Sequence, residues 1–329
     1  MIKARKSLRL GINYSMTNRL MLLVMLVAEF IIFMILTPYF FQLENLTNVG
    51  REISTLGIVA IGQTMCILTG GFDLSVGGSA AMSAVIVGYL CSPKILNMPY
   101  WVGLPAGLLV ALLIGMTNGF LITKGPINPF ITTMSMNFIL GGAVILITKQ
   151  PITVNTVAFK FLGATYAGPI PLPIIVLAIA YITFGLILKY TVFGRHLYCT
   201  GGNTMAARIA GINTKRVVFF TYSLSSLLAG FAGIMLASRL ATSNPGVGSS
   251  YGLQSIAAAV LGGTALSGGE GNMFGSFLGV LVTGILANGL VMVGVSQSWR
   301  DIATGIMLIL AVLLQLRTRD LSKPGKASQ

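Results

Sequence analysis

Long apolar runs alternate with short polar segments along the whole chain. A helix needs ~20 mostly apolar residues to cross the ~30 Å hydrocarbon core of a bilayer, so ten such runs predict membrane-spanning helices. Their predicted bounds are 20–41, 55–70, 75–90, 101–123, 130–148, 172–188, 217–238, 253–266, 273–290 and 301–316. The second, third, eighth and ninth runs are short or interrupted by glycines. Backbone groups in lipid have to be paired within the chain, and runs of this length favour helices over barrel strands.

The composition supports a membrane protein. Of the 329 residues, 55% are hydrophobic and 9% are charged, whereas soluble domains carry ~25% charged residues. We therefore predict an all-α integral membrane protein with about ten transmembrane helices, some of them short or broken. The predicted parts are an N-terminal segment (1–19), a single transmembrane domain (20–316) that contains a polar loop at 191–216, and a C-terminal tail (317–329).

The 21 Lys and Arg residues are distributed unevenly between the two sides of the predicted bundle. With the N-terminus in the cytoplasm, fifteen of them fall on cytoplasmic segments. Because positive residues are enriched on that side, we expect both termini in the cytoplasm, which requires an even number of spans. The six on the opposite side are Arg51, Lys94, Lys149, Lys160, Arg239 and Arg300. The charges lie between apolar runs and not in a basic stripe with aromatic residues, so the net charge of +14 predicts no nucleic-acid partner.

A weak internal sequence repeat suggests two related halves. The pair Asn118-Gly119 ends the fourth run, and Asn288-Gly289 ends the ninth run 170 residues later. Two halves of five spans each would be inverted relative to one another, which is a recurring plan among transporters. Chance also produces Asn-Gly pairs in a chain with 40 glycines.

The segment 68–78 interrupts two apolar runs with four glycines and one carboxylate. An acid at membrane depth should face protein or a water-filled cavity. One interpretation is that Asp73, with Ser75, only caps the following helix. The other is that the broken helix lines a translocation route, together with Gly70 and Gly71.

A second interrupted segment at 261–271 contains Gly262, Gly263 and Thr264. Its sequence LSGGE resembles the nucleotide-contacting signature of ATP-binding cassette ATPases. The chain nevertheless has no G-x-x-x-x-G-K-S/T loop to hold a phosphate, and apolar runs flank the segment on both sides. We therefore interpret it as a hairpin between helices.

Other candidate chemistry is sparse. The single histidine, His196, and three cysteines have no metal-ligand spacing, so no metal site is expected. No catalytic arrangement of side chains is visible, so the chain is not expected to be an enzyme. Glu29 lies within the first run, where it is either a packed carboxyl or a proton-relay group.

The loop 191–216 is predicted to contain a short helix. Asn203 or Thr204 is a good N-cap, residues 205–210 favour a helix, and Gly211 is a good terminator. Because a helix this short is not stable alone, contacts with either the membrane domain or a partner have to stabilise it. Its small residues Ala206, Ala207 and Ala210 would fit a groove. An ordinary, well-capped loop is the alternative.

Taken together, these segments resemble the membrane subunits of ATP-binding cassette importers for monosaccharides, the ribose-type sugar permeases. The resemblance covers nearly the whole chain, and its segments keep the family's order and spacing. They are GGFDLSVG at 70–77, GMTNG at 115–119, NPFITT at 128–133, TVFGR at 191–195, GGN at 201–203, AA at 206–207, GI at 211–212, IAA at 256–258, GGT at 262–264 and SGG at 267–269.

The resemblance implies a permease domain that acts in a complex. A dimer of permeases in the bacterial inner membrane would sit on two cytoplasmic ATPase subunits, which would hold the ATP and Mg, with no cofactor in this chain. A periplasmic binding protein would deliver the solute, and membrane lipid would surround the dimer. The short helix would be the coupling helix, with Asn203, Thr204, Ala206, Ala207, Arg208 and Gly211 as coupling residues. Residues expected near the solute's path are Gly70, Gly71, Asp73, Ser75, Asn118, Gly262, Gly263 and Thr264.

Two departures from the family pattern affect these expectations. After Tyr251, relatives usually read Glu-Leu-Asp, whereas this chain has Gly252-Leu253-Gln254. If those acids contribute to docking of the periplasmic binding protein, its docking to this chain differs from that in relatives. Both a heterodimer with a second permease and a homodimer then stay open. The substrate is not determined by the sequence. An ion-coupled secondary transporter of a small polar solute is the alternative function.

Overall fold

The chain is almost entirely helical. The computed structural model describes residues 14–322, and the side chains of residues 20–313 except 297, 301 and 311. The helices are α1 (Tyr14–Leu36), α2 (Leu43–Leu68), α3 (Val76–Cys91), α4 (Tyr100–Thr123), α5 (Pro129–Ile147), α6 (Val157–Ala164), α7 (Leu172–Tyr190), α8 (Val192–Gly202), α9 (Thr204–Ile209), α10 (Thr214–Leu240), α11 (Tyr251–Leu261), α12 (Met273–Met292) and α13 (Gln297–Ser322). The strands are β1 (Ile152–Thr153), β2 (Tyr166–Ala167), β3 (Ile170–Pro171) and β4 (Thr242–Ser243).

Each of the ten predicted segments contains a helix. Within the described part of the chain, five helices are long and apolar enough to cross a membrane: α4, α5, α7, α10 and α12. Shorter apolar helices are formed by α3, α11 and the part of α1 from Leu20 to Leu36. The membrane character of the prediction is therefore confirmed.

The predicted bounds were wrong by the most at α2, and by up to six residues at α1 and α13. Helix α2 begins at Leu43, twelve residues before the predicted start at 55, and α13 continues to Ser322 past the predicted end at 316. The early part of α2 is polar, so hydropathy alone leaves it out, yet Val49 and Ile53 in it are buried. Residues 1–13 and 323–329, most of the predicted N-terminal segment and tail, lie outside the described residues.

Helices α2 and α10 lie at the centre of the bundle. Helix α10 packs against α2, α3 and α4, and α2 packs against α7, α11 and α12. The side chains of α2 are buried without interruption from Ile53 to Leu68. Peripheral helices instead expose large apolar residues, such as Phe138 on α5 and Ile182 on α7. Exposed apolar side chains on these outer helices are what a lipid solvent requires.

Short elements cover the two ends of the bundle. At one end, β1 pairs antiparallel with β4, and α6 packs on α10. At the other end, α8 and α9 connect α7 to α10. The sequence analysis predicted α9 but not α8, which packs through the buried Leu197 against the bundle. These two helices bring the polar loop 191–216 into contact with the membrane helices.

Candidate functional site

Asp73 lies in the break between α2 and α3 and is completely buried. One oxygen of its carboxylate accepts hydrogen bonds from the backbone N–H of Ser75 at 2.9 Å and from the Ser75 hydroxyl at 2.6 Å. The amide of Asn118 on α4 donates to the same hydroxyl at 2.8 Å. Ser225 and Ser226 on α10 lie beside the carboxylate. Asp73 therefore pairs with the backbone N–H of Ser75 just before α3; Ser75 occupies the N-cap position, and the side-chain capping hydrogen bond expected for α3 is absent.

The backbone freed by this break is paired with side chains from three other helices. The Phe72 carbonyl accepts from the hydroxyl of Tyr222 on α10 at 3.3 Å and from that of Thr133 on α5 at 3.4 Å. The amide of Gln63 pairs with both backbone groups of Asp73, at 2.9 Å and 3.3 Å, in the orientation that satisfies both partners. The break is thus held from α2, α4, α5 and α10.

Gly70 and Gly71 are the predicted path residues nearest to open space. Together with Phe72 and residues 128–131 they line a cavity of about 570 Å³. Asp73, Ser75 and Asn118 do not line this cavity; they form the hydrogen-bonded group behind it.

Helix α9 has the caps that the sequence predicts. The Asn203 side chain accepts from the backbone N–H of Ala206 at 2.9 Å, and Gly211 adopts a φ of +84° after the helix. Arg208 donates through Nε to the Thr214 hydroxyl at 3.0 Å, which ties α9 to the start of α10. The prediction of Asn203 as the N-cap is confirmed.

The exposed face of α9 differs from the expected one. Ala207 is buried against its own chain, so the three alanines do not form one accessible face. The large apolar side chains that α9 presents outward are Met205, 65% exposed, and Ile209, 83% exposed. They are four residues apart and lie on one side of the helix.

The end of α8 meets both interrupted segments at a backbone contact, which we call the glycine junction (Leu68, Gly201, Gly268 and Gly269). The Leu68 carbonyl, at the end of α2, accepts from the backbone N–H of Gly269 at 2.9 Å. A Cβ on Gly201 would overlap that carbonyl and come within 2.7 Å of the Gly269 nitrogen. Three chain segments therefore touch through their backbones, with no side chain between them.

A side chain of α8 reinforces this contact. The Tyr198 hydroxyl donates to the Gly271 carbonyl at 2.9 Å. Burial raises the pKa of Tyr198, so the hydroxyl keeps its proton for this hydrogen bond. Gly268 and Gly269 have φ values of +82° and +77°, which other residues rarely adopt.

Gly262, Gly263 and Thr264 form the first turn after α11. A Cβ on Gly262 would overlap the Gly275 carbonyl of α12, and Gly263 has a φ of +86°. Thr264 is completely buried. These residues allow α11 and α12 to pack closely, and the following hairpin reaches α8 at the glycine junction.

A cavity of about 860 Å³ lies between α2, α10, α11, α12 and α13. Glu52, which lines it, precedes Leu68 by 16 residues on α2, so the cavity is about 24 Å along the helix from the glycine junction. Its charged lining residues are Glu52, Arg239 and Arg300. The sequence analysis did not assign this site, because the predicted second run began after Glu52. Gln254, one of the departures from the family pattern, also lines it.

Known proteins similar to this chain are transport permeases. Residues 45–312 match the family described as branched-chain amino acid transport system / permease component. The ribose import permease protein RbsC of Bacillus subtilis is 40% identical over 86% of this chain and 88% of its own length. RbsC of Escherichia coli K12 is 36% identical over 85% of this chain and 88% of its own length. The L-arabinose transport system permease protein AraH of Escherichia coli K12 is 35% identical over 89% of this chain and 88% of its own length. No solved structure matches the chain.

The family match covers most of the chain and includes both interrupted segments, α8 and α9. The chain therefore belongs to the branched-chain amino acid transport system permease family.

Proposed function

We propose that the chain is the membrane-spanning subunit of an ATP-driven importer for a monosaccharide or a related small polar solute. Support comes from the family and from the ribose and arabinose permeases, which are similar over most of their length. The single structural feature that carries the proposal is α9, a short capped helix whose exposed Met205 and Ile209 suit a partner's groove. The ATPase activity belongs to partner subunits. Nothing in the similarities favours an ion-coupled transporter.

We infer ten membrane spans in two inverted halves. The packing supports this arrangement, because α3 packs on α4 and α5 as α11 packs on α12 and α13. Helix α10 packs on α3 and α4 as α2 packs on α11 and α12. Gly115 of α4 approaches α10 closely, and Gly284 of α12 approaches α2 closely. The two termini and the loop with α8 and α9 then lie in the cytoplasm of a cell whose inner membrane holds the chain.

This topology predicts opposite labelling of two introduced cysteines. A membrane-impermeant thiol reagent should modify Lys149→Cys in intact cells and Lys215→Cys only after permeabilisation, because both side chains are exposed at opposite ends of the bundle. The native Cys199, exposed on α8, is the internal control and should behave as Lys215→Cys does. Labelling of Lys215→Cys in intact cells would contradict the topology.

The partners of the proposed complex are two cytoplasmic ATPase subunits, a periplasmic binding protein and a second permease chain, identical or not. Partner contact at α9 is supported by its exposed apolar pair beside the basic side chains of Arg208 and Lys215. A six-residue helix cannot hold its conformation alone. Its caps and the Arg208–Thr214 hydrogen bond keep it in position for docking.

Affinity purification from the native membrane in mild detergent should recover a soluble ATPase in stoichiometric amount. Ile209→Asp should remove most of that ATPase and abolish substrate-stimulated ATP hydrolysis, because it places a charge in an apolar contact. Ile170→Asp, at an exposed apolar residue on the opposite end, is the matched control.

Solute uptake that persists without ATP and collapses with the ion gradient would overturn the importer proposal. Ala207→Asp is a poor probe, since Ala207 is buried.

We propose that the glycine junction carries movement from α8 and α9 to the membrane helices. Direct backbone contact supports this role, because a displacement of one closely packed segment is transmitted to the atoms that touch it. The junction joins α8 to the end of α2, which leads into the Asp73 break, and to the 262–272 hairpin, which leads into α12. Movement of α8 therefore reaches both interrupted segments at once.

Gly201→Ala tests this role against its neighbour. The added methyl group has to displace the Leu68 carbonyl, and overpacking of this kind costs about 1–3 kcal/mol. We expect a lower Tm and loss of substrate-stimulated ATP hydrolysis while the basal hydrolysis of the complex remains. Gly202→Ala is the control, because a Cβ there meets no atom within 4 Å. Equal stimulation in the two variants would refute the junction as the coupling path.

We propose that Asp73 stabilises the break and does not itself select the solute. Its complete burial and its bonds to Ser75 support a structural role. Gly70 and Gly71, which line the adjoining cavity, remain candidates for the solute's path.

Asp73→Ala should lower the folded yield and the Tm, because hydrogen bonds to a charged group contribute about 1.5–3 kcal/mol each. Asp73→Asn keeps the accepting oxygen and should fall between Asp73→Ala and the wild type. Detergent-solubilised yield and thermal unfolding provide the measurements. Wild-type yield with an altered sugar preference would contradict the structural role.

A further inference from the structure

The cavity between α2, α10, α11, α12 and α13 has the size and lining of a small-molecule site. Its volume of about 860 Å³ lies in the range of ~300–1,000 Å³ that ligand pockets occupy. Leucine and methionine side chains form part of its wall, and polar groups converge on it from all five helices and from the loop after β4. The polar residues that line the cavity include Glu52, Arg239, Asn244, Gln254 and Arg300.

The charges around this cavity do not balance among the described side chains. Glu52 interacts electrostatically with both Arg239 and Arg300, and Arg239 also interacts with Arg51. One carboxylate thus faces two guanidinium groups at the cavity, and the third guanidinium group, that of Arg51, lies near Arg239. Guanidinium groups withdrawn from water are stable only when anions and hydrogen-bond acceptors are close to them.

Two of these guanidinium groups also have an unused donor. The Nε atoms of Arg51 and Arg300 are buried and have no hydrogen-bond partner among the described residues. Arg51 lies with its guanidinium carbon 4.6 Å from the centre of the Tyr166 ring, so that side chain is already stacked outside the cavity. Of these two residues only Arg300 lines the cavity, and its Nε atom itself has no accessible surface.

We propose that this cavity binds a sugar acid, a polyhydroxylated solute of monosaccharide size that carries a carboxylate. The solute's carboxylate would pair with Arg300 and Arg239, since a guanidinium fork binds carboxylate oxygens bidentately. Its hydroxyl groups would bond to Glu52, Gln254 and Asn244, which together offer acceptors and donors. This inference rests on the proposed import function, because it names the solute class that the permease accepts.

A neutral sugar fits the geometry less well. It would supply hydroxyl groups but no negative charge, so among the described side chains one carboxylate would still face two guanidinium groups in a site partly withdrawn from water. An anionic solute balances the charge of Glu52, Arg239 and Arg300.

The test uses thiol labelling of the full chain, with the partners that co-purify, in lipid nanodiscs. A Cys199→Ala background removes the exposed native thiol. Gln254→Cys reports on the cavity, Asn244→Cys is a second reporter in case the first fails to fold, and Lys94→Cys is an exposed reference outside it. The probes are methanethiosulfonates that carry either a sulfonate or a trimethylammonium group. The rate ratio of the two reagents, relative to the reference, cancels their intrinsic reactivities.

We expect the sulfonate reagent to be favoured about tenfold at the cavity cysteine, because a cleft of one charge sign raises the local concentration of counter-ions. Arg300→Gln should remove most of that preference, whereas Lys149→Gln, which removes an exposed charge elsewhere, should leave it unchanged. D-gluconate should slow the labelling at the cavity cysteine, and D-glucose at equal concentration and ionic strength should not.

Three results would overturn the proposal: equal rate ratios at the cavity and reference cysteines, an unchanged ratio in Arg300→Gln, or protection by glucose as good as that by gluconate. Absence of protection by either solute would overturn it as well. The labelling needs no ATP and no transport. A failure here is therefore distinct from failure of the importer proposal, which would appear as absence of an ATPase partner.

Discussion

Every backbone N–H and C=O group freed by a broken helix inside a membrane needs a partner from the protein, because lipid offers none. In this chain the break between α2 and α3 meets that need with side chains from α2, α5 and α10 and from the break itself. Gln63 pairs with the backbone of Asp73, Tyr222 donates to the Phe72 carbonyl, and the Asp73 carboxylate accepts from Ser75. The last carbonyl of α2 is satisfied by Gly269. The interrupted segments thereby become part of one hydrogen-bonded unit.

That unit has consequences for how the bundle can move. The Leu68–Gly269 hydrogen bond and the close approach of Gly201 leave no room for a side chain between α2, α8 and the 262–272 hairpin. In our proposal these three segments shift together. Helix α9 follows α8 directly and is tied to α10 by Arg208. Since α2 and α10 are the central helices, a force applied at α9 acts on the middle of the bundle and not on its lipid-facing rim.

Three ionisable side chains surround a cavity at the opposite end. The polar early part of α2 lies beside the end of α10 and the beginning of α13, where Glu52, Arg239 and Arg300 surround a cavity. Ionisable groups at such depth are costly unless they pair or bind a ligand. Helix α2 therefore runs from the cavity lined by Glu52, Arg239 and Arg300 at one end of the bundle to the glycine junction at the other.

The sequence by itself determined the membrane class, a helix at each apolar run and the caps of α9, since hydropathy, helix length and capping depend on residues close together in the chain. The five membrane-length helices and the Asn203 cap follow from such local patterns. The ten-span count and the inverted halves remain proposals that the packing supports. Only the tertiary structure decided that Ala207 faces inward, that Gly201 meets Leu68 and Gly269, and that Glu52 lies beside Arg239 and Arg300. These contacts join residues far apart in the sequence, and packing between helices, which no local pattern encodes, brings them together.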